Sequence, residues 1–336
     1  MASQSSLDSS STSSTMPGYR LTEFVQAIPT RTKTASVQLP DLLSASSSFQ
    51  LRTNRHCRSV SVASEKWLRD VGVDVGANWK KVKVGLLAAV CYPRADPTQL
   101  RFATDFLSLL ISADDHGYDG TYDPFAHLSD RLSRAGYRNP AWCMRFHRSL
   151  RAYREARNHL AQNAQSDVVP DLESYVELRR DASGFRMAFD LVEYAGGLEL
   201  PEQVFGPAML RLIECACDIV AWSEDIASCA RVQSAGKLNR HTIVSVLMKE
   251  RDISLAAALM EAGALVQQSI DAFLAAERLL PSWSNEAVRN DTRLFVQGLR
   301  DWISGAINWY YESERYFGDK GTEVRMFGWV FLPVKA

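Results

Sequence analysis

Apolar residues in this chain recur at steps of three and four almost from end to end, and that period leaves little room for strands. Leu255, Leu259, Ala262, Val266, Ile270 and Phe273 fall on one face of a helix. Asp252 and Ser254 are N-cap candidates for it, and Pro281 ends the run. Another helix is predicted after Pro207, with Leu210, Ile213, Cys217 and Val220 turned inward; Pro201 suits a first helical turn. Strand character is confined to residues 324–334, at the C-terminal end. No repeat of fixed period is visible, which disfavours a solenoid. The predicted fold class is therefore all-α, with residues 37–336 forming one domain. Such bundles place ligand sites among facing helices.

Of the 336 residues 46% are apolar, enough for a sizeable core, and the formal net charge is −1. Phosphate-backbone binding needs a basic excess, so nucleic acid is not an expected partner. No apolar run approaches the roughly 20 residues that span a bilayer, so no integral membrane segment is expected. Cys57, Cys91, Cys143, Cys215, Cys217 and Cys229 show no CxxC spacing, and the histidines do not join them at zinc-ligand spacing. They read as reduced thiols in a reducing compartment. Residues 1–36 are rich in serine and threonine and are predicted to be a disordered tail. Arg20, Arg31 and Lys33 leave an organelle transit peptide open, with Asp8 and Glu23 against it. The expected compartment is the cytoplasm.

Three polar constellations interrupt the apolar pattern. In LRFATDFLSLLISADDHGYDG, Phe102, Phe106, Leu109 and Ala113 form an apolar stripe that leads into Asp114, Asp115 and Asp119. Asp115 and Asp119 are i and i+4, so their carboxylates share a face. Hard oxygen donors of this kind suit Mg²⁺, which also takes phosphate oxygens; a solvated helix end closed by Gly117 and Gly120 is the alternative. In WSEDIASCARVQ, Glu224, Ser228 and Val232 lie at i, i+4 and i+8. A carboxylate and a hydroxyl at that spacing can share a cation, and Arg231 could reach a phosphate. Further basic features are Arg180 with Ser183 and Gly184, and Arg315 with Tyr316 behind Trp309. Arginine binds diphosphate oxygens in bidentate fashion and stays charged. A surface salt bridge to Glu312 or Glu314 is the alternative at Arg315.

In this order, these segments resemble the class I terpene synthases, most closely the basidiomycete-type sesquiterpene synthases of fungi. The resemblance runs from LPDLL, NRHC and SEKW through CYPRADPTQLRFATDF to WYYESERYFGDKGTEV and a final VFLPVK. It implies an α-bundle around a central cavity. It also implies an aspartate-rich metal motif at Asp114, Asp115 and Asp119, in a register shifted from DDxxD because Tyr118 takes the last position. Arg180, Ser183 and Gly184 match the diphosphate sensor, linker and effector. Glu224, Asp225 and Ser228 match the start of the second metal motif, NDxxSxxxE, and Arg315 and Tyr316 match the pair that holds diphosphate. Two departures stand out: Glu224 replaces Asn or Asp, and Val232 replaces the glutamate that closes the second metal site. Thr242 stands where the family has a later Asn.

The implied activity is Mg²⁺-dependent ionisation of an allylic prenyl diphosphate, most readily farnesyl diphosphate, followed by cyclisation to a sesquiterpene. The family uses up to three Mg²⁺ ions, and Val232 puts the second site in question. Tyr92, Phe102, Phe106 and Trp309 are candidates for the aromatic pocket wall, with plain core as the alternative for each. Transfer of the cation to an external nucleophile, and a non-catalytic paralogue, are the competing expectations.

Overall fold

The computed structural model describes residues 34–118, 122–166, 169–234 and 241–333. A strand, β1 (Thr34–Gln38), opens the fold. It is followed by α1 (Leu42–Ala45), α2 (Cys57–Asp70), α3 (Trp79–Val82), α4 (Val84–Cys91) and α5 (Pro97–Asp115). Next come α6 (Ser129–Arg138), α7 (Pro140–Ser166), α8 (Leu172–Ala182), α9 (Phe185–Gly196) and α10 (Pro207–Ser234). The chain ends with α11 (Ile243–Arg251), α12 (Leu255–Arg278), α13 (Glu286–Glu312), α14 (Glu314–Phe317), α15 (Gly321–Phe327) and β2 (Trp329–Pro333). The fold is all-α apart from one two-stranded antiparallel sheet, in which Thr34 pairs with Pro333 and Gln38 with Trp329. The C-terminal strand falls inside the stretch expected for it. Its partner β1 begins at Thr34, ahead of the boundary expected at residue 37. Residues 1–33 of the expected tail lie outside the described residues.

The helices that carry the polar constellations start and stop for local reasons. Pro97 opens α5 behind an Asp96–Gln99 capping box, in which Asp96 accepts from the Thr98 and Gln99 amides. Gly117, at φ +69, turns the chain out of that helix. Asp171 caps α8 and Ser254 caps α12. Gly184, at φ +75, breaks α8 from α9, and a Cβ there would come within 2.7 Å of Leu110 on α5. That glycine therefore serves both the left-handed turn and the close approach of α5.

α10 runs through the middle of the bundle against α12 and α13. On α12, Leu259, Ala262, Val266, Ile270 and Phe273 are buried as their spacing requires. On α10, Ile213, Cys217 and Val220 are buried as expected, together with Met209, Leu212 and Ala216, whereas Leu210 is exposed. The six cysteines are all free thiols, half-buried or buried. Among the described residues no single helix is long and apolar enough to cross a membrane.

Candidate active site

One apolar cavity of about 320 Å³ opens among α5, α7, α8, α10, α13 and α14. Its floor and walls are Leu87, Leu107, Leu110, Phe185, Trp302 and Tyr310, and a ring of charge stands among its lining residues. On α5 the lining face is Leu107, Leu110, Ile111 and Asp114, spaced i, i+3, i+4 and i+7, so the aspartate ends an apolar stripe that points into the cavity.

Acids and guanidiniums alternate around this ring. Arg315 bridges to both Asp114, at 2.9 Å, and Asp115. Its own side chain is only 4% exposed against 43% for Asp114, so the arginine lies beneath the acids. Across the cavity, Arg179 on α8 reaches Glu224 at 3.0 Å and Asp225 at 2.9 Å on α10. The Tyr316 hydroxyl donates to Glu224 at 3.1 Å. Asp225 is buried, accepts from the Tyr175 hydroxyl and the Ile243 amide, and so fixes the start of α11. Burial pushes its carboxyl above the usual carboxylate range, against the opposing pull of Arg179. Burial alone would lower Arg315, but Tyr316, Asp114 and Asp115 outweigh it and hold the guanidinium charged. Arg179 and Arg315 each keep a buried Nε–H that has no hydrogen-bond partner among the described residues. Two orphaned cationic donors beside one apolar cavity suit an anion with several oxygens.

The positions expected from the sequence divide into those that meet here and those that do not. Asp114, Ser183, Glu224, Ser228, Trp309, Arg315 and Tyr316 line the cavity. Asp115 stands beside them through Arg315. The Ser228 hydroxyl donates to the Asp225 carbonyl at 3.1 Å, and the Trp309 indole is tied to the Val82 and Lys83 carbonyls. Gly184 does not line the cavity; it shapes the turn behind it.

Arg180 is placed elsewhere: it points away from the cavity and holds Asp218 through two bonds of 2.7 and 2.6 Å. The arginine that faces the site is its neighbour Arg179. The physical reason is helical phase: Tyr175, Arg179 and Ala182 share the inward face of α8 at i, i+4 and i+7, and Arg180 is rotated about 100° from it. Tyr92, Phe102 and Phe106 are core residues a layer behind the wall. Tyr92 donates to the Ala188 carbonyl at 2.7 Å and backs Trp302 edge-on at 5.5 Å. Phe102 packs on Tyr194, and Phe106 stacks on Phe125. Asp119 lies outside the described residues, as do the side chains of Arg231 and Val232. Tyr118 also lines the cavity, as do residues that the sequence reading did not single out, Tyr153, Arg157, Tyr175, Phe185 and Trp302.

A sequence profile described as terpene synthase family 2, C-terminal metal binding, matches residues 95–272, which include both acidic segments. The chain belongs to the terpene synthases. It is 34% identical to sesquiterpene synthase Agr1 of Cyclocybe aegerita over 316 residues, covering 85% of this chain and 90% of that protein. Identity is also 34% with alpha-muurolene synthase of Coprinopsis cinerea, over 87% of this chain and 76% of the relative. Among solved structures, germacradien-4-ol synthase from Streptomyces citricolor superposes with a TM-score of 0.67 at 22% identity, covering 82% of this chain and 98% of that one. Wild-type cucumene synthase does so with a TM-score of 0.65, covering 78% and 98%. The terpene synthase fold of this chain is thus the class I all-α bundle, and its metal-binding domain fits use of a divalent cation.

The donor set agrees with a hard cation. Asp114, Asp115, Glu224 and Ser228 offer only oxygen. Among the described residues no three His, Cys, Asp or Glu side chains converge into a cage. Each acidic segment would therefore give a bound divalent cation only a partial shell, to be completed by water and by phosphate oxygens of a ligand, as Mg²⁺ commonly requires.

Proposed function

We propose that the chain converts farnesyl diphosphate to a sesquiterpene by Mg²⁺-dependent ionisation and cyclisation. The observation that carries this is the juxtaposition of two mostly buried guanidiniums and two acidic segments with one apolar cavity. Arg179 and Arg315 orient the diphosphate and spread its negative charge, and the Tyr316 hydroxyl is placed to donate to a phosphate oxygen in exchange for Glu224. Magnesium held by Asp114, Asp115, Glu224 and Ser228 would supply further neutralisation of the leaving group. Such fixed charges act more strongly at a water-poor wall than in bulk solvent. The faces of Phe185, Trp302, Trp309 and Tyr310 are positioned to stabilise an allylic cation and to fold its chain.

Incubation with geranyl, farnesyl and geranylgeranyl diphosphates plus Mg²⁺ tests the reading, with gas chromatography and diphosphate release as readouts. A volatile sesquiterpene from farnesyl diphosphate supports it. Diphosphate release with a non-volatile adduct would favour prenyl transfer, and no release would favour a binding protein.

A further inference from the structure

The turn that follows Asp114 and Asp115 is fastened to one face of α7, and Arg157 is the centre of that attachment. Its Nη1 donates to Asp114 Oδ1 at 3.3 Å, while Nε and Nη2 both donate to the Tyr118 carbonyl at 3.3 Å. One turn earlier on α7, the Tyr153 ring stacks on Tyr118 at 5.8 Å and 9°. Both tyrosine hydroxyls are buried and have no hydrogen-bond partner among the described residues, and the pair meets through ring contact. Arg154, also on α7, pairs with Asp123 at 2.9 Å beyond the turn. The Arg157 side chain is 13% exposed, and the residue lines the cavity.

We propose that Arg157 is a positioning residue for cation capture: its planar fork ties the Asp114 carboxylate to the backbone of the turn, so the carboxylate is presented in one orientation. A carboxylate preset in this way loses less freedom when it coordinates an ion, which tightens binding without an added ligand. Lysine keeps the charge but puts its donors on one nitrogen at the end of a flexible stem, so it lacks the planar fork that sets the two acceptors in a fixed relation. The inference rests on the proposed Mg²⁺-diphosphate chemistry of the site.

The test is calorimetric titration of Mg²⁺ in the presence of inorganic diphosphate, alongside turnover at saturating Mg²⁺. Wild type, Arg157→Gln, Arg157→Lys and Arg148→Gln are compared; the last controls for lost charge at an exposed position of α7. The expected result is a roughly tenfold rise in the Mg²⁺ needed for half-saturation in Arg157→Gln. Arg157→Lys should show a smaller rise, and Arg148→Gln none. If Arg157→Gln does not fold, Arg157→Lys alone carries the comparison, and an unchanged midpoint there overturns the inference. Unchanged or tighter Mg²⁺ binding in a folded Arg157→Gln overturns it too, the second because the guanidinium then merely competes with the cation. A fall in kcat at an unchanged midpoint would move Arg157 to direct contact with the leaving group and overturn the positioning role. Wild type that binds no Mg²⁺-diphosphate would sink the functional reading and this inference together, whereas binding in wild type with an unmoved variant sinks the inference alone.

Discussion

Replacing Arg179 and Arg180 one at a time by lysine should separate rate from stability. Arg179 lines the cavity and bonds Glu224 and Asp225 across it. A charge-assisted hydrogen bond contributes about 1.5–3 kcal/mol, and exchanging a planar fork for an ammonium forfeits at least one such bond to the leaving group. At 1.4 kcal/mol per factor of ten, Arg179→Lys should slow diphosphate release by about 10- to 100-fold. Arg180 faces Asp218 with both partners mostly buried. Arg180→Lys should lose a bond of the same class, but from the fold. With an unfolding entropy of roughly 2.1 cal/mol/K per residue over a domain of about 300 residues, that is a fall of about 2–5 °C in Tm with turnover kept. The assay is diphosphate release from farnesyl diphosphate at saturating Mg²⁺, with scanning calorimetry on the same samples. A slow Arg180→Lys of normal Tm beside a fully active Arg179→Lys would refute the placement of these two side chains.

The other expectations follow from the same geometry. Val232 is two helical turns from Glu224 and one from Ser228 on α10, so Val232→Glu should lower the Mg²⁺ needed for half-maximal activity by about tenfold; a Mg²⁺ titration with no shift would count against a second metal site here. Arg315→Lys should depress turnover more than Tm, because the lost fork joins Asp114 and Asp115 at the cavity; a loss of folding with normal specific activity in the folded fraction would favour a purely structural pair. Deletion of residues 1–33 should leave Tm unchanged, whereas deletion through Gln38 should lower it by removing the strand paired with Trp329–Pro333. Burial pushes the Asp190 carboxyl up to about 7. A folded pKa above the unfolded one gives stability that is complete below about 4 and is lost as pH rises toward 7. Asp190→Asn should therefore raise Tm relative to wild type more at pH 8 than at pH 5, as thermal melts at the two pH values will show.

Helix placement was largely legible from the sequence because apolar spacing, proline and capping residues agree with one another at α5, α10 and α12. Asp114, Glu224 and Arg315, which meet at the cavity, were also legible as a set, through their order along the chain. The facing of individual side chains was less so. On α5 thirteen of nineteen residues are buried, so an apolar stripe does not separate cavity wall from core. The stripe through Phe102, Phe106 and Leu109 turned out to be core, and the one through Leu107, Ile111 and Asp114 turned out to be wall. Adjacent arginines at 179 and 180 posed the same question, which Tyr175 and Ala182 answer once the phase of α8 is taken into account. Arg157 carried no sequence signal of its own, because its partners, Asp114 and the Tyr118 carbonyl, lie about forty positions away and meet it only through tertiary packing. Strand β1 was missed because a five-residue strand has too few alternations to stand out against a serine-rich background.

Diphosphate released from farnesyl diphosphate, measured against Mg²⁺ concentration for wild type and Asp114→Ala, bears most directly on the claim that this cavity ionises an allylic diphosphate. The account predicts Mg²⁺-dependent release by wild type and none by a folded Asp114→Ala. Release that is equal in the two proteins, or absent from wild type at every Mg²⁺ concentration, would contradict it.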